Sequence, residues 1–380
     1  MKELIQKEFV LRKDLIYLNH AGVSPWPLRT ANAVQQFAGE NMLQGSLRYP
    51  EWLKVEMNLR EQAKQLLNAP SIDDVALLKN TSEALSAVAY GLDWTTGDNI
   101  VSSNQEFPSN RIVWESLSTK GVELREADLG AAGSPEDALF SLVDDRTKLI
   151  TVSSVQFSTG LKMDLARIGE FCRQRDILFC VDAIQGLGAV QFDVQNIQAD
   201  FVMADGHKWL LGPEGLAVFY SHPDARNRLR LNQFGWHMVE AMGDFDRREW
   251  TIAKTARRFE CGSPNMLGVH ALDASLSLLL ELGMDHIEKE VLKRSEYLFD
   301  KIKARPDLEL ITPTGQDRYA GIVTFRRNGT DNAALYQHLM QNHVMCAFRC
   351  GGIRLSPHFY TPYPHLDRVI DMAMDFHAHT

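Results

Sequence analysis

The chain has 380 residues, of which 45% are hydrophobic and 23% are charged, and its formal net charge is −9. This length predicts a globular protein with a large core and two domains, and the ordinary composition excludes a disordered or fibrous chain. The acidic balance argues against a nucleic-acid groove and against a surface for acidic membranes, so any cationic group that binds an anion must be local.

The sequence contains no apolar run that reaches the ~20 residues of a membrane-spanning helix. Residues 1–7 mix charges and lack the apolar core of a signal peptide, so we expect a cytoplasmic protein. The five cysteines show no spacing typical of a metal site. Cys172 and Cys180 lie in apolar surroundings, which predicts small core residues.

Between about residues 70 and 220, short apolar runs alternate with helical patterns, which predicts an α/β fold with a mainly parallel sheet. From about residue 285 the pattern changes, and it predicts a smaller α+β domain with a strand near 321–326. We expect a large domain over 15–265 and a small domain over 266–380 together with 1–14. The predicted strands of the large domain are 75–78, 99–102, 149–153, 177–181, 201–204 and 217–220, and the main predicted helices are 83–90, 109–119, 164–175 and 264–282.

Ligands of such sheets collect at the carboxyl ends of the strands, so the polar residues that follow each strand matter most. Asn80 and Glu83 follow the first predicted strand and fit a capping box. The same helix start could bind a phosphate through its free amides, provided that Glu83 points away. Phe107 follows the next strand, where it could either stack on a flat ring or act as a hydrophobic staple.

Asp182 follows a fully apolar strand, so its carboxylate is partly desolvated and needs a cationic or N–H partner. It could cap the next segment, or it could pair with a pyridinium nitrogen. Lys208 follows the next strand and is either a surface lysine or a lysine that carries a cofactor aldehyde as a Schiff base. A lysine, an acid, a stacking ring and a phosphate cradle are the parts that pyridoxal 5′-phosphate requires, and together they favour this cofactor.

Two later segments add further candidates. Arg354 lies in a short apolar strand, where it must pair either with an internal carboxylate or with the planar carboxylate of a substrate. Ser263 precedes Pro264 at the start of a long apolar helix, which is typical of a helix cap.

Several motifs in sequence order carry a family resemblance. They are Asp182-Ala183-Ile184-Gln185, Gly206-His207-Lys208 with Gly212-Pro213-Glu214-Gly215, Arg258-Phe259-Glu260-Cys261-Gly262-Ser263-Pro264-Asn265, and Gly352-Ile353-Arg354-Leu355-Ser356. On these motifs the chain resembles, from Tyr17 to about Phe376, the class V aminotransferase group of pyridoxal-phosphate enzymes of fold type I. That group includes cysteine desulfurases, cystine lyases and isopenicillin-N-epimerase-like proteins.

The resemblance implies roles for individual residues. Lys208 would form the internal aldimine and move the α-proton, Asp182 would keep the ring nitrogen protonated, and Arg354 would bind the substrate carboxylate. The other implied cofactor contacts are Gln185 at the ring hydroxyl, Phe107 where many relatives have a stacking His, Gln156 where relatives have an Asn near the ring, and Thr81, Ser82 and His207 at the phosphate. The substrate pocket would be lined by Asn19, His20, Ala21 and Gly22. Ser263 of a partner subunit would reach the same phosphate, which implies a homodimer with shared active sites.

The sequence departs from the family pattern at two places. Relatives often have Ser two residues before the His, but this chain has Asp205, which cannot simply donate a hydrogen bond to a phosphate. Cysteine desulfurases carry a catalytic cysteine on a mobile loop upstream of the arginine. Cys346 and Cys350 lie only eight and four residues before Arg354, which leaves little chain for such a loop.

The resemblance therefore predicts an enzyme that acts on an α-amino acid, with transamination expected first and β-elimination at a carbon–sulfur bond as the alternative. A desulfurase-like reaction and an amino-acid epimerase remain further alternatives. The non-enzyme alternative is a regulator that has this fold and binds pyridoxal phosphate but does not catalyse a reaction. A dinucleotide-dependent oxidoreductase is disfavoured because no Gly-x-Gly-x-x-Gly turn follows the first sheet strand.

Overall fold

The computed structural model describes residues 1–131 and 133–376. The helices are α1 (Lys2–Glu8), α2 (Leu28–Gln44), α3 (Tyr49–Leu67), α4 (Thr81–Gly91), α5 (Ser109–Glu115), α6 (Pro135–Phe140), α7 (Leu165–Arg173), α8 (Val194–Ile197), α9 (Pro223–Asn227), α10 (Met266–Leu282), α11 (Met284–Lys303), α12 (Asn332–Gln341) and α13 (Tyr363–Asp375). The strands are β1 (Ile16–Tyr17), β2 (Val75–Leu78), β3 (Asn99–Ser103), β4 (Glu123–Ala127), β5 (Thr147–Ser153), β6 (Leu178–Asp182), β7 (Phe201–Asp205), β8 (Ala217–Ser221), β9 (Leu308–Leu310), β10 (Val323–Arg327), β11 (Val344–Met345), β12 (Ala347–Arg349) and β13 (Gly352–Leu355).

The larger sheet has seven strands in the order β2-β8-β7-β6-β5-β3-β4. The neighbours from β4 to β7 are parallel, whereas β8 is antiparallel to both β7 and β2. The predicted α/β fold with a mainly parallel sheet is therefore confirmed. The strand that the sequence analysis missed is β4, an edge strand of sequence Glu-Leu-Arg-Glu-Ala whose charged side chains give no apolar run.

Alternate residues of each central strand enter two different cores, as the twofold side-chain period of a strand requires. Phe201 and Met203 of β7 pack with α4 and α5, whereas Val202 and Ala204 face the core that contains α3, α7 and α10. Cys172 and Cys180 are buried in these cores, as predicted. Both faces of the sheet are thus covered. Polar side chains can contact a ligand only at the ends of the strands.

A second sheet of four antiparallel strands, β12-β13-β10-β9, forms a third core with α11, α12 and α13. The short strand β1 pairs in parallel with β11, and an isolated bridge joins Asn19 to Ser356. These contacts bring the segment around Asn19 alongside β13, which carries Arg354. The distant N-terminal and C-terminal segments are therefore neighbours at one place.

Helix α10 lies within the range assigned to the small domain, but it packs against α2 and α3 in the core of the large sheet. Its apolar length reflects this burial. Among the described residues, no single helix is both long and apolar enough to cross a bilayer, and α10 with α11 meets that test only jointly, across an 85° bend.

Candidate active site

A cavity of about 350 Å³ lies where β6 and β7 end and α4 begins. Its wall comes from segments that are far apart in sequence, because parallel strands meet at one edge of the sheet. The predicted residues that line it are Ala21, Gly22, Thr81, Ser82, Phe107, Asp182, Gln185, His207, Lys208 and Arg354. The structure thus brings the predicted lysine, acid, aromatic ring, helix start and arginine together.

Lys208 and Asp182 are buried in this cavity, with 8% and 1% of their surfaces exposed. Burial lowers the pKa of the Lys208 amine, and the negative charge of Asp182 opposes that shift. Burial likewise raises the pKa of the Asp182 carboxyl, while the hydrogen bond from the Ile184 amide at 3.0 Å and the charge of Lys208 lower it. Each group therefore stabilises the charged form of the other in a place where a lone charge would be costly.

The start of α4 forms one end of the cavity. Asn80 accepts a hydrogen bond from the Glu83 amide at 2.8 Å, and the Glu83 carboxylate accepts one from the Lys79 amide at 2.6 Å. This capping box holds Glu83 against the backbone rather than in the cavity. The adjoining Thr81 hydroxyl is buried and has no hydrogen-bond partner among the described residues, and Ser82 donates to Ser109 at 2.9 Å. Unpaired donors at a helix N-terminus suit an anion.

Aromatic and amide groups form the middle of the cavity. The amine nitrogen of Lys208 lies 5.4 Å from the centre of the Phe107 ring, and that ring packs edge-to-face on Phe157 at 5.2 Å. The Gln185 amide donates to the Ala21 carbonyl at 3.1 Å and accepts from the Trp209 indole at 2.9 Å. Gln185 is thus fixed by the fold and keeps one amide hydrogen for a ligand.

Glu106, which the sequence analysis did not single out, supports the loop that carries Phe107. Its carboxylate is buried and accepts hydrogen bonds from Asn110 at 2.8 Å, from the Ser153 amide and from Gln156 at 2.9 Å. It also adds negative charge near Asp182, which favours the protonated form of the Asp182 carboxyl. A lone Glu after a strand gives no sequence signal, because Ser153 and Gln156, which help to fix it, lie at and beyond the end of a different strand.

Arg354 is 2% exposed and contacts no carboxylate among the described residues. Its guanidinium donates to the Phe157 carbonyl at 2.7 Å and to the Asn19 side chain at 3.2 Å, and its Nε has no partner. Burial lowers the pKa of this guanidinium. Of the two partners that the sequence analysis considered for Arg354, an internal carboxylate is therefore not found among the described residues. The buried guanidinium lines a cavity that could admit an anion.

Arg349, at the end of β12, also lines the cavity and was missed by the sequence analysis. Nothing in the sequence was a reason to select Arg349, because a charged residue at the end of a strand is ordinarily exposed to solvent. In the structure it adds a second positive charge near Arg354, since it further lowers the pKa of that guanidinium.

Other predicted site residues lie outside the cavity wall. His20 is fully buried, and its ring nitrogens lie 2.7 Å from the Ser356 carbonyl and 2.6 Å from the Tyr360 hydroxyl, so it packs the fold rather than contacting a substrate. Asn19 lies behind Arg354 and acts on the cavity through it. Gln156 is buried against Glu106. Ser263 lines a different cavity beside Lys79.

The two late cysteines do not line the cavity either. Cys346 is buried, and burial raises the pKa of its thiol to about 12. Cys350 is exposed in the turn between β12 and β13 and has a positive φ of 50°. This connection is a tight hairpin, so the chain here has no long segment on which a thiol could reach the cavity.

Comparison with known proteins decides the family. The sequence profile described as aminotransferase class-V matches residues 16–354, which is most of the chain. The chain belongs to the class V aminotransferase family. It is a pyridoxal-phosphate-dependent enzyme of that family, as the resemblance predicted.

Individual relatives agree with this assignment. The chain is 32% identical over 338 residues to a probable cysteine desulfurase of Methanothermobacter thermautotrophicus, covering 87% of this chain and 82% of the relative. It is 29% identical to the uncharacterized aminotransferase YcbU of Bacillus subtilis, covering 90% and 89%. A solved structure of the cystine C–S lyase C-DES with cysteine persulfide superposes with a TM-score of 0.89 at 22% identity, covering 96% and 98%, and supports the fold.

The cavity fits the cofactor of this family. Buried polar atoms in its wall have no hydrogen-bond partner among the described residues, and such atoms are rare in folded proteins. They are Thr81 Oγ1 and Arg354 Nε. A ligand with a phosphate, a polar ring and a carboxylate-bearing adduct would provide partners for the donors among them, and pyridoxal 5′-phosphate with an amino acid has these groups.

The lowered pKa of Lys208 has a measurable consequence. Its amine loses its proton at a lower pH than an ordinary lysine, whose pKa is about 10.4. When pyridoxal 5′-phosphate is added to cofactor-free protein, the rate at which the visible absorbance band forms should therefore rise with pH. The midpoint of that rise should lie below about pH 10.4. Asp182→Asn removes the charge that raises the pKa of Lys208 and should move the midpoint to still lower pH. Stopped-flow absorbance across the pH range measures both midpoints, and an identical midpoint in the variant would contradict the pairing.

Proposed function

We propose that the protein is a pyridoxal-phosphate-dependent enzyme that acts on an α-amino acid, with transamination as its first assignment. The observation that carries this proposal is the buried Arg354, which has no acid partner among the described residues and lines the same cavity as Lys208. A guanidinium fork suits the planar carboxylate of an amino acid. Binding there would present the α-carbon to the lysine that moves its proton.

Each side chain of the cavity has a defined task in this proposal. When bound, pyridoxal 5′-phosphate supplies an aldehyde for amino groups and a ring that accepts electrons from the α-carbon. Lys208 would take the α-proton and return it, and its lowered pKa leaves more of its amine unprotonated, and so able to act as a base, near neutral pH. Asp182 would favour a protonated ring nitrogen, Phe107 would pack against the ring, and Arg354 would hold the substrate carboxylate in the cavity that Lys208 lines.

The second candidate is a carbon–sulfur β-lyase, which is supported by the similarity of the fold to that of the cystine C–S lyase C-DES. A cysteine nucleophile has little support, because no cysteine among the described residues lines the cavity. Screening amino acids by mass spectrometry for keto acid, for pyruvate with a thiol, or for inverted amino acid separates transamination, elimination and epimerisation. Sulfide release from free cysteine that depends on Cys346 or Cys350 would instead support a desulfurase.

The role of Lys208 is tested by replacing it. Lys208→Ala should bind the cofactor without the covalent link, so borohydride treatment should leave no cofactor attached to the protein after denaturation. Lys289→Ala, at an exposed lysine of α11, is the matched control and should be labelled as the native protein is. Peptide mass spectrometry locates the label, and attachment at another lysine would overturn the assignment.

The two arginines of the cavity should have separable effects. Arg354→Gln should raise KM for every amino-acid substrate by about 100-fold, the effect expected when a carboxylate loses its charged partner. Arg349→Gln should raise KM mainly for amino acids with a second acidic group, since its charge lies beside that of Arg354. Single-turnover absorbance changes with aspartate, glutamate and alanine measure this, and equal effects of both variants on alanine would contradict separate roles.

We also propose that the protein acts as a homodimer in which Ser263 serves the partner's cavity. In support, Ser263 lies outside the Lys208 cavity of its own chain, and large apolar side chains are exposed at the end of α2 and beyond, such as Met42, Leu43 and Leu47. Exposed apolar patches of this kind mark association surfaces. Light scattering should give twice the chain mass, and Ser263→Ala should weaken cofactor binding without changing that mass. A monomer that binds the cofactor fully would contradict this arrangement.

A further inference from the structure

Asp205 is a negative charge at the end of the cavity where the anion is expected. It ends β7, is 6% exposed and lines the cavity wall together with Thr81 and Ser82 at the start of α4. A carboxylate in such a place would repel a phosphate unless a positive charge or a proton offsets it. The surroundings of Asp205 therefore have to explain how an anion is bound there.

The nearest partner of Asp205 is His207. Oδ1 of Asp205 lies 3.0 Å from Nδ1 of His207, which is an ion-pair contact, and neither atom makes a hydrogen bond to any of the described residues. The His207 carbonyl accepts a hydrogen bond from the Ser24 amide at 2.8 Å, which ties the turn to the N-terminal segment. The carboxylate can only accept, so a proton on the imidazole is favoured at Nδ1.

This pairing determines what His207 can offer a ligand. With its proton at Nδ1, a neutral imidazole has only a lone pair at Nε2, which cannot donate to a phosphate dianion. A hydrogen bond between Nε2 and the phosphate therefore needs one additional proton, placed either on the imidazole or on the phosphate. A serine in place of Asp205 would impose no such condition, because a hydroxyl can donate to Nδ1 and leave the proton at Nε2.

We infer that Asp205 is a positioning residue that makes phosphate binding in this cavity depend on the uptake of one proton. The Asp205–His207 pair accepts the phosphate and a proton together, so the carboxylate is neutralised by the imidazolium when the ligand is bound. This inference rests on the proposed function, since it concerns the phosphate of the cofactor.

The other charged groups that line the cavity are Asp182, Lys208, Arg349 and Arg354. Burial shifts the pKa of Asp182, Lys208 and Arg354, so these groups can also change their protonation when a ligand binds. A comparison between the native protein and a variant altered only at Asp205 leaves all of them in place, so their contributions largely cancel in the difference. Asp205→Asn is suitable because it keeps the size of the side chain, and its amide can donate to Nδ1 and so leave the proton at Nε2.

The test is the number of protons taken up when the protein binds pyridoxine 5′-phosphate, which lacks the aldehyde and does not react with Lys208. Near pH 8.5 a free phosphate monoester, with a second pKa of about 6, and an ordinary imidazole, with a pKa of about 6.5, carry no extra proton. Titration calorimetry in two buffers of different ionisation enthalpy should show about one more proton taken up by the native protein than by Asp205→Asn. Between pH 8 and 9 the native Kd should correspondingly rise about tenfold more than that of the variant.

Equal proton uptake by the two proteins would overturn the inference. If Asp205→Asn fails to fold, as judged by circular dichroism, His207→Gln serves instead, because glutamine can donate without titrating and should lose the same proton. A purely structural role for Asp205 would lower affinity at every pH by the same factor and would leave the proton count unchanged. A native protein that forms no visible band with pyridoxal 5′-phosphate would contradict the proposed function itself, and this inference with it.

Discussion

A buried pair of opposite charges, Lys208 in the turn after β7 and Asp182 at the end of β6, determines the chemistry of this protein. Either group alone would cost several kcal/mol in such a place, and each would respond by losing its charge. In their shared cavity the pKa of the amine is accordingly lowered and the pKa of the carboxyl is raised. Both shifts have the same physical cause, since burial penalises each charged form while the opposite charge supports it.

Some buried polar groups around this pair have no partner for their charge or hydrogen bonds among the described residues. Arg354 is buried without an acid, and Thr81 has a buried hydroxyl without a partner among the described residues. By contrast, the buried Arg60 contacts both Glu56 and Glu260. Arg60 is therefore a structural charge, whereas Arg354 is a candidate for binding a ligand.

Support for the cavity comes from residues that do not line it. Glu106 joins the loop of Phe107 to the end of β5, and Asn19 holds the guanidinium of Arg354 through a bridge between distant segments. His20 packs between the N-terminal and C-terminal segments with both ring nitrogens engaged. These contacts keep the catalytic groups at fixed separations, which is what orientation of a substrate requires.

The sequence by itself determined the α/β fold, the mainly parallel sheet, and the lysine, acid, aromatic and arginine that share the cavity. It could do so because buried strands leave apolar runs, and Asp182 and Lys208 lie at or just after the ends of two such runs at one edge of the sheet; Arg354 was recognised instead as a charge within a short apolar strand. Only the tertiary structure decided that Arg354 has no acid beside it, that His20 and Gln156 are packed away from the cavity wall, and that Arg349 and Glu106 belong to the site. These facts depend on contacts between segments as far apart as Asn19 and Arg354, and such contacts have no local pattern along the chain.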